Sequence, residues 1–204
     1  MSAAHRGECI LLASNNPGKV REIGQLLASE RIQIIPQGER GVPEVEETGL
    51  SFVENAILKA RNAARHCALS AIADDSGIEV DALHGAPGIY SARYAGAGAS
   101  DRDNLKRLLA DLRGVPERER TARFQCLMVY MRHAEDPTPV ICQGTWEGRI
   151  LFEPKGENGF GYDPIFFVPT HGCSSAELDP ETKNRLSHRG QALMRLVRYL
   201  RGED

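Results

Sequence analysis

The sequence predicts an α/β protein, and two stretches carry the prediction. Ala71-Ile72-Ala73-Asp74-Asp75-Ser76-Gly77 is a short apolar run that ends in two carboxylates and a turn, the pattern of a buried strand. Cys9 to Ala13 is a second apolar run, followed by the turn-rich Ser14-Asn15-Asn16-Pro17-Gly18-Lys19 and an amphipathic helical pattern. Strand, polar loop and helix N-terminus in that order form a ready anion site, and open α/β sheets bind ligands at strand ends.

The length of 204 residues suits a single domain spanning residues 1–204 with an ample core. A net charge of −3 argues against a general nucleic-acid binder, which needs a basic face. The five cysteines are widely spread and form no CxxC or zinc-finger spacing, so they read as reduced thiols of a cytoplasmic protein. The apolar run at Cys9 to Ala13 is too short for a signal-peptide core or a membrane span.

The first helix is expected from about Pro17 to Ser29, with Val20, Ile23 and Leu27 on one face. Pro17 suits the first helical position. Lys19 in the first turn opposes the helix dipole, so it is either an exposed residue at a cap or a partner for an anion. Ile32 to Ile35 reads as a second strand, and Gln37 to Leu50 as a loop. The loop's Glu44, Glu46 and Glu47 form either a solvated acidic cluster or a source of a metal ligand.

Ser51-Phe52-Val53-Glu54 matches a capping box. The helix it starts should run to about Cys67, burying Phe52, Ala56, Ala60, Ala63 and Cys67, with Asn55, Lys59 and Asn62 on the opposite side. The strand after it should end at the Asp74–Asp75 pair, because Gly77, Gly85, Pro87 and Gly88 break any long element before Gly98. Adjacent like charges repel, and burying either costs several kcal/mol unless a cation compensates. The pair is therefore either a solvated turn or a site for a divalent metal, since hard cations take carboxylate oxygens.

Ser100 to Asp111 reads as a third helix. Phe124–Met131 and Val140–Trp146 read as a hairpin, and Ile165–Val168 as a further strand. Gly156 to Pro164 is Gly-rich and holds Phe160, Tyr162 and Asp163. Two last helices are expected at about Ser175–Leu186 and Ser187–Arg201. His188 and Arg189 occupy the first turn of the second, where cations are disfavoured by roughly 0.3–1 kcal/mol each. They are either a loose surface pair or servants of a ligand.

Taken together, seven pieces resemble the inosine triphosphate pyrophosphatase family, and its bacterial branch most closely. They are Ser14-x-Asn16-x-x-Lys19, Glu46-Glu47-Thr48-Gly49, Glu54-Asn55-Ala56-x-x-Lys59-Ala60, Ala73-Asp74-Asp75-Ser76-Gly77, Gly85-Ala86-Pro87-Gly88, Gly159-Phe160-Gly161-Tyr162-Asp163-Pro164 and Lys183-Asn184-x-x-Ser187-His188-Arg189. The resemblance implies an α/β fold with two lobes on a long mixed β-sheet flanked by helices, and an active site in the cleft between the lobes. It implies hydrolysis of dITP, ITP or XTP to the monophosphate and pyrophosphate with Mg²⁺, and a homodimer. No nucleic-acid polymer and no membrane is expected as a partner.

Under that resemblance the residues take roles. Lys19 and Lys59 meet the phosphates, with donors from Ser14, Asn15, Asn16, Pro17 and Gly18. Asp75 is the catalytic base and a metal ligand; Glu46 or Glu47, with Asp74, completes the metal shell. Ser76, Phe160, Gly161, Tyr162, Asp163, Lys183, His188 and Arg189 bind substrate, with Phe160 stacked on the base. A non-catalytic nucleotide sensor and a pyrophosphatase for other modified nucleotides are the alternatives. Asp75 and the two lysines speak for an enzyme, and Ser187-His188-Arg189 for a purine.

Overall fold

The structure is a computed structural model that describes residues 9–203 except 29 and 31. Among the described residues seven strands form one mixed sheet: β1 (Cys9–Leu12), β2 (Gln33–Pro36), β3 (Ala71–Val80), β4 (Thr121–Met131), β5 (Val140–Ile150), β6 (Phe166–Val168) and β7 (Cys173–Ser174). Their order is β2-β1-β3-β4-β5-β6-β7. β1 runs parallel to both β2 and β3, while β6 is antiparallel to β5 and β7. Among the described residues five α-helices accompany them: α1 (Pro17–Leu27), α2 (Phe52–Cys67), α3 (Asp101–Asp111), α4 (Pro180–Leu186) and α5 (His188–Arg201). The expected α/β class is borne out. None of these helices is long and apolar enough to cross a membrane.

The chain divides into two compact units. Unit 1 takes the described residues of Met1–Asp75, Cys126–Gly144 and Arg189–Asp204; unit 2 takes Ser76–Gln125 and Thr145–His188. In unit 1 the strands bury both faces, because alternate side chains point to opposite sides. Ile10, Leu12, Ile72, Met128 and Tyr130 pack with Ile23 and Leu27 of α1 and with Leu193 and Leu196 of α5. Leu11, Ala13, Ala71, Ala73, Val129 and Met131 pack with Ala56, Ala60, Ala63 and Ala64 of α2. The small side chains of α2 let it lie close to the sheet. Unit 2 has its own core, in which Leu105, Leu108 and Leu112 meet Phe124, Trp146, Tyr162 and Phe166.

The helix starts follow the expected chemistry. Asn16 caps α1, with Pro17 at the first helical position. Ser51 caps α2 by accepting the Glu54 N–H, while Glu54 reaches back to the Ser51 hydroxyl and the Leu50 N–H. Ser100 and Asp103 form a full capping box on α3. The expected end of α1 at Ser29 lies outside the described residues.

Four elements depart from expectation by more than two residues. β3 does not end at Asp75; it continues through Ser76 and Gly77 to Val80, because Ile78 and Val80 are buried in the second core. β4 begins earlier and β5 ends later than their apolar runs, which end where one face turns polar. The helix expected from Ser175 is broken: a 3₁₀ turn at Ser175–Glu177 gives way to α4, restarted by an Asp179 cap and Pro180.

Candidate active site

β1 ends at Leu12, opposite Ile72 of its parallel neighbour β3. Asp74 and Asp75 thus sit inside β3 but beyond the end of β1. The chain leaves β1 through α1 to β2 on one side, and returns through α2 to β3 on the other. That is the switch point of an open α/β sheet, where ligands bind.

Strand alternation separates the two carboxylates. Asp74 shares the face of Ile72, toward α1 and α5; Asp75 shares the face of Ala71 and Ala73, toward α2. Asp74 Oδ2 lies 2.9 Å from Lys19 Nζ and 3.4 Å from Arg189 Nε. Arg189 also donates through Nη1 to Glu22 on α1. Arg189 is almost fully buried. Burial opposes its charge, but Asp74 and Glu22 outweigh this and hold the proton firmly.

On the other face Asp75 Oδ1 accepts from Lys59 Nζ at 2.7 Å, and Lys59 Nζ also reaches Glu47 Oε1 at 2.9 Å. Asn55 Nδ2 lies 3.4 Å from Asp75 Oδ2. Burial pushes the Asp75 carboxyl above the usual carboxylate range, and Lys59 and Lys19 offset this only in part. Burial likewise opposes the Lys59 charge, but Asp75, Asp74 and Glu47 together carry its pKa upward. A carboxyl poised high beside a permanent cation suits proton transfer.

At the N-terminus of α1 the Lys19 N–H is held by Asn16 Oδ1 and the Asn16 N–H by Ser14 Oγ. Asn15 donates to Glu44. Pro17 brings no N–H and Gly18 is half-buried. No acidic side chain stands in the first turn of α1, so its field is open to an anion.

Unit 2 carries a second group. Asp163 Oδ2 accepts from the Phe160 N–H at 2.8 Å and from Lys183 Nζ at 2.7 Å, and Oδ1 accepts from Ser175. Lys183 Nζ also lies 5.1 Å from the Phe160 ring centroid, a cation–π distance. The close turn needs Gly159: its φ is +78°, and a Cβ would fall 2.1 Å from Asp163 Oδ2. His188 stacks on Phe124 at 4.7 Å with an 11° tilt. Ser76 is half-buried on β3.

Several expected site residues are placed differently. Asp74 does not face Glu47, because alternation turns it to the other side of the sheet toward Lys19 and Arg189. Glu46 points to solvent, while Glu47 is the glutamate that joins Lys59 and Asp75. The Tyr162 side chain is packed in the unit 2 core, its hydroxyl donating to Ser91 O. The Gly161 N–H donates to Asp101. Arg189, expected at the base edge, spends Nε and Nη1 on carboxylates.

The model of the Ham1 family matches residues 10–199. The chain belongs to the Ham1 family. It is 62% identical over 191 residues to a dITP/XTP pyrophosphatase of Vibrio parahaemolyticus, covering 94% of this chain and 96% of that one. It is also 62% identical over 193 residues to a dITP/XTP pyrophosphatase of Thioalkalivibrio sulfidiphilus, covering 95% and 98%. Among solved structures, a HAM1 protein from Coxiella burnetii superposes with a TM-score of 0.89 at 50% identity, over 97% of this chain and all of that one. The expected family resemblance is therefore borne out. Two residues of this Ham1 family site were not singled out as site residues in the sequence: Glu22, which reads as a solvated helix residue, and Asn55, which reads as part of a polar face. The Asn55-Lys59-Asn62 spacing and the Glu54-Asn55-Ala56-x-x-Lys59-Ala60 piece hinted at the second.

Proposed function

We propose that the chain hydrolyses non-standard purine nucleoside triphosphates, dITP, ITP and XTP, to the monophosphate and pyrophosphate, as one pyrophosphatase domain. The observation that carries this reading is Lys59, whose ammonium is shared by Asp75 and Glu47, in a chain 62% identical to proteins named dITP/XTP pyrophosphatase. Lys19, Lys59 and the donors of Ser14 to Gly18 take the triphosphate. Asp75 holds the attacking water and accepts its proton on a carboxylate oxygen as the water oxygen bonds to the α-phosphorus. The α–β bridging bond breaks, and its electron pair leaves with pyrophosphate. Catalysis of this kind is mostly positioning and electrostatics.

The donor set fits Mg²⁺. Two carboxylates, those of Glu47 and Asp75, are already brought to one cation, the Lys59 ammonium, and Mg²⁺ takes one or two carboxylates beside substrate oxygens and water. When bound it would neutralise charge building on the phosphates. Phe160 suits stacking on the base, with Lys183 and His188 offering donors at its edge, while Arg189 stays with Asp74 and Glu22. A 6-oxo purine offers acceptors to such donors, whereas adenine offers a donor that leaves both sides unsatisfied. The reading also includes a homodimer and a cytoplasmic setting.

Pyrophosphate release from a panel of ITP, XTP, dITP, ATP, GTP and modified pyrimidine triphosphates with Mg²⁺ tests the reaction. Binding without release would make the chain a sensor. Lys19→Ala and Lys59→Ala should weaken ITP by roughly ten- to a hundredfold, the worth of a charged hydrogen bond, and IMP far less. Titration calorimetry measures both. Equal losses would remove the lysines from the β and γ phosphates.

A further inference from the structure

Residues 43–49 form no regular secondary structure, yet they are tied to one face of α2 at three points. Asn62 Nδ2 donates to Pro43 O at 2.8 Å, Lys59 Nζ to Glu47 Oε1 at 2.9 Å, and the Gly49 N–H donates to Asn55 Oδ1 at 2.8 Å. Positions 55, 59 and 62 are spaced by four and three and share a helix face. Side-chain bonds thus replace the backbone ladder that the loop lacks.

Asn55 differs from the other two ties. It is fully buried, and its second amide atom, Nδ2, faces Asp75 Oδ2 at 3.4 Å. The reverse orientation of the amide would set NH₂ against the Gly49 N–H and C=O against the carboxylate, so one assignment alone satisfies both neighbours. Asp75 is then held through both oxygens, Oδ1 by Lys59 and Oδ2 by Asn55. The loop meets the amide so closely that only glycine fits at 49. A Cβ there would lie 2.7 Å from Asn55 Oδ1 and 2.6 Å from Glu54 Cβ.

We propose that Asn55 is a positioning residue: its single amide fixes both the loop that brings Glu47 to the site and the orientation of the Asp75 carboxylate. This rests on the function proposed above. A shift of about 1 Å in a reacting group can cost on the order of 10²-fold in rate, and a loop tied only at its far end would allow such a shift.

Two variants separate the two arms. Asn55→Asp keeps an acceptor for the Gly49 N–H but loses the donor to Asp75. Gly49→Ala drives a methyl group into the loop–amide contact while residue 55 remains asparagine. For Asn55→Asp, kcat with ITP should fall on the order of 10²-fold with little change in KM, while slow hydrogen exchange at the Gly49 amide persists. For Gly49→Ala, exchange across residues 43–49 should accelerate and kcat fall as well. Asn55→Ala should show both effects. An Asn55→Asp enzyme with wild-type kcat overturns the proposal, as does an Asn55→Ala enzyme whose Gly49 amide stays protected. An inactive wild type would instead overturn the proposed function, and the two failures are told apart by that control.

Discussion

Asp75→Asn should abolish turnover of ITP while leaving the nucleotide bound. The amide keeps the shape of the carboxylate and an oxygen for Lys59, whose Nζ lies 2.7 Å away. It cannot accept a proton, and it removes one of the two carboxylate charges, its own and that of Glu47, that meet the Lys59 ammonium. Loss of a general base alone costs about 10²–10⁴ in rate, and a weaker hold on the proposed Mg²⁺ would add to this. Binding should survive, because the phosphates are assigned to Lys19, Lys59 and the α1 N-terminus. Single-turnover kinetics and calorimetry with ITP measure the two parts. A variant that retains more than about a tenth of wild-type kcat would remove Asp75 from the role of base.

Arg189→Ala should cost the most stability of any change at the site. Arg189 is 3% exposed and Asp74 is 1% exposed. Its guanidinium is shared by Asp74 and Glu22. Removing it strands buried carboxylate charge, although Lys19 still stands beside Asp74. Breaking a buried pair from one side costs about 3–5 kcal/mol. For a chain of this size that corresponds to a fall in Tm on the order of 10 °C. Adding Asp74→Asn should restore part of the loss, because the stranded charge is then gone; a double-mutant cycle by chemical denaturation measures the coupling. A loss below about 1 kcal/mol, the range of exposed pairs, would show that Arg189 is not the counter-charge of this cluster.

Much of the chain was legible in its sequence, because local rules decide it. Pro17 and Asn16 start α1, Ser51 and Glu54 start α2, and Ser100 and Asp103 start α3, each through bonds made within a few residues. The apolar runs announced strands, and the chemistry-bearing types at Lys19, Glu47, Lys59 and Asp75 stood out by kind and order. What lay beyond reach were relations between distant segments. Asp74 and Asp75 read as one repelling pair, yet β3 runs on past them to Val80, and its alternation assigns each carboxylate to a different helix layer with its own cation. That continuation depends on Ile78 and Val80 finding a core built from residues far along the chain. Asn55 read as part of a solvated face, but the loop of residues 43–49 lies along it and buries it. Tyr162 and Arg189 are polar residues in site motifs, and packing turned one toward Ser91 and the other toward Asp74 and Glu22. Short-range hydrogen bonds and periodicity are written in neighbouring residues. Which charge neutralises which is settled only when strands and helices far apart in the chain are packed against one another.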